Sequence, residues 1–255
     1  MKKHTTRSIV KHKLVSRCES HRPLHMLTCY DFQTAQLLNA TALDLILVGD
    51  SLGNVILGHD TTIEVSLDEM KIFSAAVKRG APDKFVVTDM PFGSYATFDQ
   101  AIENAIELFQ YSKAEAIKLE GSNELNFKII QRLTQIGIPV MGHIGLMPQS
   151  VHSQGGYYKH GKTESDKLRL INEAKQLEQA GCFSIVLECV EVNTANEISR
   201  ELTIPTIGIG SGTECDGQVL VLNDLLGMTQ GSPSFVTPLV NLFELKSNLI
   251  NSYLS

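Results

Sequence analysis

The chain has 255 residues, of which 43% are hydrophobic and 20% charged, so it can bury a large core and disorder is not expected. Its 28 acidic residues outnumber 22 basic ones, and the net charge of −6 argues against a protein that wraps duplex DNA. There is no Trp, and five cysteines without a Cys-x-x-Cys pair predict reduced thiols rather than a zinc site.

The N-terminus is basic. The first 22 residues hold seven Lys or Arg and a single acidic residue, and they lack the apolar centre of a secretory signal. A transit peptide has a similar composition, but the first apolar strand follows almost at once. We therefore expect a short basic helix at the start of a cytoplasmic protein. No apolar run reaches the roughly 18 residues that a membrane span requires.

Eight short apolar runs recur along the chain. Most are nearly continuous in Val, Ile and Leu, a pattern typical of parallel strands that are buried on both faces. The predicted strands are residues 24–30, 43–49, 85–90, 116–120, 138–144, 183–189, 204–209 and 218–222.

Helical patterns occupy most of the intervals between these strands. Ser66 with Glu69, and Thr97 with Gln100, have the spacing of a capping box at a helix N-terminus. The helix that follows the first box is predicted to stop at Gly80.

Three further helices complete the pattern. Ser122 is predicted to open one, another runs from about residue 165 to Gly181, and residues 234–255 predict the last. Strands that alternate with helices of this length indicate right-handed βαβ units. The sequence predicts a single-domain (β/α)8 TIM barrel over residues 1–255, with an open doubly wound sheet as the alternative.

Two connections from strand to helix are unusually long. They cover residues 49–65 and 145–164, whereas the connections from helix to strand are short. Long loops inside a compact domain are mostly functional or disordered, and both of these follow the carboxyl ends of strands, where barrel active sites form. The second loop, with its paired glycines Gly155 and Gly156, is either a closing lid or a flexible excursion, and its composition does not decide between them.

Ionisable side chains occur at or near the ends of five predicted strands. In chain order they are Asp50, Asp89, Lys118, Glu120, His143 and Glu188. Four carboxylates around one opening repel each other unless a cation lies among them. Because no Cys or multi-His cluster accompanies them, the cation should be Mg²⁺, with Mn²⁺ as an alternative.

These ionisable residues favour metal-assisted removal of a proton next to a ketone. A cation and Lys118 suit a small anionic substrate, and a free carboxylate can remove a proton next to a ketone whose enolate the cation stabilises. Glu188 is the predicted base, because its strand lies across the barrel from the strand that precedes Asp50. Ser51 is predicted to contact substrate, since no Gly-x-Ser-x-Gly elbow marks it as a nucleophile. The GIGSG segment at 208–212 is either a phosphate site or a plain glycine-rich turn.

Ten short stretches make the chain resemble a known family. They are MLTCYD (26–31), LVGDSLGNVILGHDTT (47–62), KRGAP (78–82), DMPFGSY (89–95), IKLEG (117–121), PVMGHIGLMPQSV (139–151), GGY (155–157), VLECV (186–190), IPTIGIGSG (204–212) and DGQVLV (216–221). With these stretches in this order and at this spacing, the chain resembles the ketopantoate hydroxymethyltransferases.

The resemblance implies an aldol-type reaction that uses Mg²⁺. A hydroxymethyl group would pass from 5,10-methylenetetrahydrofolate to 3-methyl-2-oxobutanoate, giving 2-dehydropantoate for pantothenate synthesis. By motif, Asp50, Asp89 and Glu120 would form the metal site. The residues that would contact the oxo acid are Asp50, Ser51, Asp89 and Lys118. Glu188 would accept the proton, His143 would lie in the pocket, and the protein would be a cytoplasmic homo-oligomer, often a decamer.

Two other functions remain open at this point. A related barrel lyase or mutase could act on another 2-oxo acid, but such an enzyme needs more Arg and often a loop Cys, and the long loops contain neither. A non-catalytic barrel subunit should lack one of the charged residues at the strand ends, and none is missing.

Overall fold

The computed structural model describes residues 3–16, 22–156 and 158–255, and its centre is a closed barrel of eight parallel strands. Each strand pairs with the next one in the chain, and β8 pairs with β1. The strands are β1 Leu24–Thr28, β2 Leu45–Val48, β3 Phe85–Asp89, β4 Ala116–Glu120, β5 Val140–Gly145, β6 Ser184–Glu188, β7 Thr206–Ile209 and β8 Gly217–Leu220. The predicted TIM barrel is confirmed, and the closing β1–β8 pair excludes an open sheet.

Helices surround most of this barrel. They are α1 Thr6–Ser16, α2 Phe32–Asn39, α3 Leu67–Gly80, α4 Phe98–Ser112, α5 Glu124–Gln135, α6 Val151–Gln154, α7 Glu164–Ala180, α8 Val192–Glu201, α9 Leu222–Leu225 and α10 Leu242–Leu254. Residues 210–216, which join β7 to β8, are all described and contain no helix. Among the described residues, no helix has the length and apolarity needed to cross a membrane.

The predicted basic helix is present as α1. Ile9 is fully buried and packs into the cluster of apolar side chains that fills the inside of the barrel. Lys13 is buried as well, and its ammonium group donates to the Ser199 carbonyl oxygen at 2.5 Å and to Asp216 Oδ2 at 2.8 Å. The helix is therefore part of the fold. Cys18 and Tyr157 lie outside the described residues, and Cys29, Cys182, Cys189 and Cys215 are free thiols.

One of the two predicted capping boxes forms. At α3 the Ser66 hydroxyl accepts from the Glu69 amide, and Glu69 accepts from the Ser66 amide in return. At α4 the prediction was wrong, because Thr97 occupies the cap position without a side-chain capping hydrogen bond. The pattern locates the first helical residue, but the rotamer of the cap hydroxyl depends on its surroundings.

The other boundaries shift by small amounts. Asn123, rather than Ser122, caps α5, where its side chain accepts from the Asn126 amide. The last helix is shorter than the predicted 234–255, because residues 234–241 form turns and extended chain before α10 begins. Most strands lose one or two terminal residues, so Asp50 lies in the loop just beyond β2.

Candidate active site

A small cavity lies inside the barrel at the carboxyl ends of the strands. Its volume is about 100 Å³. All of the charged residues predicted from the sequence line it, together with Ser51: Asp50, Asp89, Lys118, Glu120, His143 and Glu188. The structure therefore brings together residues that come from four strands and the loop after β2 and that span 139 positions of the chain. This is the face on which barrel enzymes carry their active sites.

Strand register explains this convergence. Asp89 pairs with Lys118 across β3 and β4, and Glu120 pairs with His143 across β4 and β5. Lys118 and Glu120 are two residues apart in one strand, so both side chains point to the same face, here the barrel interior. The ionisable groups of β3 to β6 therefore meet at the cavity.

The ammonium group of Lys118 is held among carboxylates. Its Nζ lies 3.0 Å from Asp89 Oδ1, and both side chains are almost completely buried. Burial alone would lower the pKa of Lys118, but the carboxylates of Asp89, Glu120 and Asp50 outweigh it and raise the pKa. Lys118 therefore stays charged across the physiological pH range.

Three carboxylates crowd the floor of the cavity. Asp50, Asp89 and Glu120 are buried, and the Asp50 amide donates to Asp89 Oδ2 at 3.1 Å. Burial, followed by the charges of Glu120 and Asp89, raises the pKa of Asp50 well above its usual range. Burial likewise raises the pKa of Asp89. Such shifts mark carboxylates that lack enough positive charge around them.

One oxygen of the Asp89 carboxylate can still accept a hydrogen bond or bind a cation. Its Oδ1 is buried and, despite the nearby Lys118 ammonium, accepts no hydrogen bond of acceptable geometry from the described residues. A divalent cation would satisfy this oxygen. Among the described side chains, no three of the His, Cys, Asp and Glu type form a ready-made metal cluster. The oxygens of Asp50 and Asp89 are the kind of hard donor that Mg²⁺ uses, with one or two protein carboxylates and a shell completed by water and substrate.

His143 bridges the floor of the cavity and its upper wall. Its Nδ1 lies 3.3 Å from Glu120 Oε1, and its Nε2 lies 3.3 Å from Glu188 Oε2. Burial and the nearby Lys118 would lower the pKa of His143, but Glu120 and Glu188 outweigh them and raise it to about 9. The imidazole thus lies between two carboxylates, although its Nε2 makes no hydrogen bond of acceptable geometry with the described residues. The Glu188 side chain is 18% exposed, more than any other ionisable side chain of the cavity.

Close backbone packing places Glu188. The Leu146 amide donates to the Glu188 carbonyl oxygen at 2.8 Å, directly after Gly145, whose φ is +99°. On the other side, Ser211 donates to the Leu187 carbonyl oxygen and accepts from the Val190 amide. The GIGSG segment uses the polar groups of Ser211 to hold the end of β6, which favours the plain-turn interpretation.

Three neutral polar residues of the site were not predicted from the sequence. The Gln149 amide nitrogen donates to Asp50 Oδ2 at 2.7 Å, and the Tyr95 hydroxyl donates to Gln149 Oε1 at 2.5 Å. The Tyr30 hydroxyl lies 2.8 Å from Ser51 Oγ. Gln149, Tyr95 and Tyr30 all lie in the motif stretches at strand ends, but they carry no charge, so reasoning from charge did not select them.

The long loop after β5 contains this glutamine. We call residues 146–163 the β5–α7 loop; it includes the 3-10 turn Pro148–Ser150 and the short helix α6. Gln149 is buried at the base of the loop, whereas residues 158 and 159 are exposed. Its action as a lid stays a prediction.

A closed (β/α)8 barrel with a buried, charged cavity at the carboxyl ends of its strands defines an enzyme of the barrel class. Residues 8–255 match the family model described as ketopantoate hydroxymethyltransferase. The chain belongs to this family and is a hydroxymethyltransferase.

Curated relatives extend over nearly the whole chain. A 3-methyl-2-oxobutanoate hydroxymethyltransferase of Trichodesmium erythraeum (strain IMS101) is 45% identical over 250 residues, covering 98% of this chain and 93% of the relative. Another of that name from Francisella tularensis subsp. tularensis (strain FSC 198) is 48% identical over 231 residues, covering 90% and 87%.

Solved structures share the fold at much lower identity. A 2,3-dimethylmalate lyase of the PEP mutase/isocitrate lyase superfamily superimposes with a TM-score of 0.62 and 14% identity, covering 99% of each chain. The phosphoenolpyruvate phosphomutase of Streptomyces platensis subsp. rosaceus gives 0.67 and 10% identity, covering 98% of this chain and 88% of that one. These likenesses support the barrel fold alone.

Proposed function

We propose that the protein transfers a hydroxymethyl group from 5,10-methylenetetrahydrofolate to 3-methyl-2-oxobutanoate, giving 2-dehydropantoate for pantothenate biosynthesis. The observation that carries the proposal is the buried cavity in which Lys118, His143 and four carboxylates face each other. Such a cavity suits an oxo acid and a proton transfer. We infer the substrate from the names of the curated relatives, whose alignments cover nearly the whole chain.

The donor set of the cavity fits Mg²⁺. Asp50 and Asp89 would hold the ion, and Glu120 would join them directly or through water. Four carboxylates face one lysine and one histidine, so the cavity carries an excess of negative charge that a divalent cation would balance. The bound cation would act as a Lewis acid that polarises the ketone of the substrate.

Substrate binding would rest on Lys118 and Ser51. The charged ammonium of Lys118 attracts the carboxylate of the oxo acid, and its contact with Asp89 fixes where that charge lies. The Ser51 hydroxyl, held by Tyr30, offers a polar contact at the edge of the cavity. Asp50 and Asp89 would contact the same substrate through the metal site.

Glu188 would be the base. It would remove the proton from carbon 3 of the oxo acid, with His143 Nε2 lying 3.3 Å from its Oε2. Water adds to the methylene carbon of the folate, and its two C–N bonds break as the nitrogens take up protons, which releases tetrahydrofolate and formaldehyde. The enolate carbon then attacks the formaldehyde carbon, a carbon–carbon bond forms as the C=O double bond opens, and the resulting alkoxide takes up the proton held by Glu188.

We also propose a cytoplasmic homo-oligomer, with a decamer as the expected assembly. The support is the C-terminal helix α10, which buries none of its residues and leaves Phe243, Leu249 and Tyr253 between 51% and 89% exposed. Exposed apolar surface of this kind marks interfaces between protein chains. Size measurement by light scattering tests this part, and a monomer at micromolar concentration would contradict it.

The experiment for the reaction follows the product. We expect 2-dehydropantoate, detected by mass spectrometry, when the protein, Mg²⁺, 3-methyl-2-oxobutanoate and methylenetetrahydrofolate are combined. Removal of Mg²⁺ with EDTA should abolish it, and Lys118→Gln should raise the KM for the oxo acid. The matched control, Lys113→Gln, changes an exposed lysine at the end of α4 and should behave as the unsubstituted protein. Absence of product from the folded, metal-supplied protein would refute the proposal.

A further inference from the structure

Gln149 is buried at the base of the β5–α7 loop, and its side-chain amide is fully hydrogen-bonded. Its Nε2 donates to Asp50 Oδ2 at 2.7 Å and to the Met90 carbonyl oxygen at 3.0 Å, and its Oε1 accepts from the Tyr95 hydroxyl at 2.5 Å. The Met90 carbonyl can only accept, which fixes the nitrogen of the amide on that side. The Gln149 side chain is thus held in one orientation, with a donor aimed at Asp50.

The backbone of the same residue reaches a second carboxylate. The Gln149 amide N–H donates to Glu120 Oε2 at 3.2 Å. One loop residue therefore contacts two of the three carboxylates assigned to the metal site, from β4 and from the loop after β2. Because Gln149 occupies Asp50 Oδ2, the other oxygen of that carboxylate remains for a cation.

Gln149 also borders a second space. It lines a cleft of about 520 Å³ together with Tyr95 and Met147, and Glu120 lines both this cleft and the central cavity. Gln149 therefore contacts Asp50 and Glu120 where the two spaces approach each other. Water admitted by a smaller side chain at this position would compete for the carboxylate oxygens.

We propose that Gln149 is a positioning residue that fixes the Asp50 carboxylate for a divalent cation and ties the β5–α7 loop to the cation site. This inference rests on the metal-dependent function proposed above. Groups that orient metal ligands usually change metal affinity by about 10- to 100-fold when they are replaced. Because coupling between two sites is reciprocal, a cation bound at Asp50 should in turn stabilise the loop.

The first measurement is Mg²⁺ binding to the full chain without substrate, by isothermal titration calorimetry. Gln149→Leu keeps the approximate volume but removes the donors, and it should weaken Mg²⁺ binding by about 10- to 100-fold. Tyr95→Phe removes only the hydroxyl that orients the amide and should weaken binding by about threefold to tenfold. The control Gln218→Leu alters a glutamine of β8 whose amide donates to the Gly212 carbonyl oxygen, and it should not change Mg²⁺ affinity.

The second measurement reports on the loop. Trypsin can cut after the exposed Lys159 and Lys162. Mg²⁺ should slow this cleavage in the unsubstituted protein and in Gln218→Leu, but not in Gln149→Leu. A purely structural role for Gln149 would speed cleavage equally with and without Mg²⁺.

The outcomes separate this inference from the proposed function. If the unsubstituted protein binds Mg²⁺ and folded Gln149→Leu and Tyr95→Phe bind it within twofold of that affinity, the role of Gln149 is wrong and the function stands. If Gln149→Leu does not fold, the Tyr95→Phe affinity decides. If the unsubstituted protein binds no Mg²⁺, the metal-dependent function fails and this inference fails with it.

Discussion

Replacement of Gly145 by Ala tests how closely the end of β5 approaches Glu188. Gly145 has a φ of +99°, a conformation that costs a residue with a Cβ about 1–2 kcal/mol. A Cβ at this position would overlap the Glu188 carbonyl oxygen and lie 2.8 Å from Val190 Cγ2. Overpacking of this kind costs about 1–3 kcal/mol more, since backbone has to move.

Gly137→Ala is a matched control. Gly137 has a φ of +92°, but nothing lies within 4 Å of the Cβ that it would gain. Both variants therefore carry the conformational cost, and only Gly145→Ala carries the clash with the strand of Glu188. Urea unfolding at one fixed protein concentration should show Gly145→Ala less stable than Gly137→Ala by about 1–3 kcal/mol.

The same pair of variants separates stability from activity. A shift of Glu188 by about 1 Å should lower kcat of Gly145→Ala by about 100-fold, whereas Gly137→Ala should retain normal kcat. Equal unfolding free energies and equal kcat in the two variants would refute the reasoning about the β5–β6 approach.

Three further predictions concern other parts of the molecule. Lys13→Met should destabilise the fold by about 1–3 kcal/mol, because Asp216 loses its charged partner and keeps only the amide and hydroxyl donors of Thr206. Lys11→Met, on the exposed side of α1, should cost less than about 0.5 kcal/mol in urea unfolding. Burial would raise the pKa of Asp44, but hydrogen bonds from His4, Arg22 and the His25 amide outweigh burial and lower the pKa. The stabilisation by ionised Asp44 is therefore complete above its unfolded pKa of about 4 and is lost as the pH falls toward the lower folded pKa. The loss of stability in Asp44→Asn should be full at pH 7 and should shrink below about pH 4. Mg²⁺ should raise the melting temperature by binding the folded state, and a melting temperature that is independent of Mg²⁺ would argue against the metal site.

The fold was largely predictable because most of its strands are continuous runs of apolar residues. Runs such as Leu45–Val48 are apolar on both faces, and this pattern has few explanations other than a parallel strand covered by helices. The capping residue of α5 was less predictable, because Ser122 and Asn123 are adjacent and have similar capping ability. The backbone conformation of the turn places Asn123 at the cap position. No helix fits between the last two predicted strands, because residues 210–217 are too few for a crossover helix, and the structure closes this interval with the loop 210–216.

The candidate site was predictable where it is charged. A carboxylate at a strand end stands out against an apolar run, so Asp89 and Glu188 were found from the sequence alone. Gln149 and Tyr95 were not, because amides and phenols at loop positions are common and their role depends on a contact across 54 residues of sequence. Contacts of this kind follow from the closed barrel, which brings separate loops to the same opening.

Exchange of the carbon-3 proton of 3-methyl-2-oxobutanoate in D₂O, followed by NMR, reports directly on proton removal in the cavity. We expect Mg²⁺-dependent exchange by the unsubstituted protein and its loss in Glu188→Gln. The control Glu191→Gln changes the cap of α8, three residues further along, and should still exchange the proton when assayed as folded protein. Full exchange in folded Glu188→Gln would contradict the assignment of Glu188 as the base, and no exchange by the metal-loaded, unsubstituted protein would contradict the proposed chemistry.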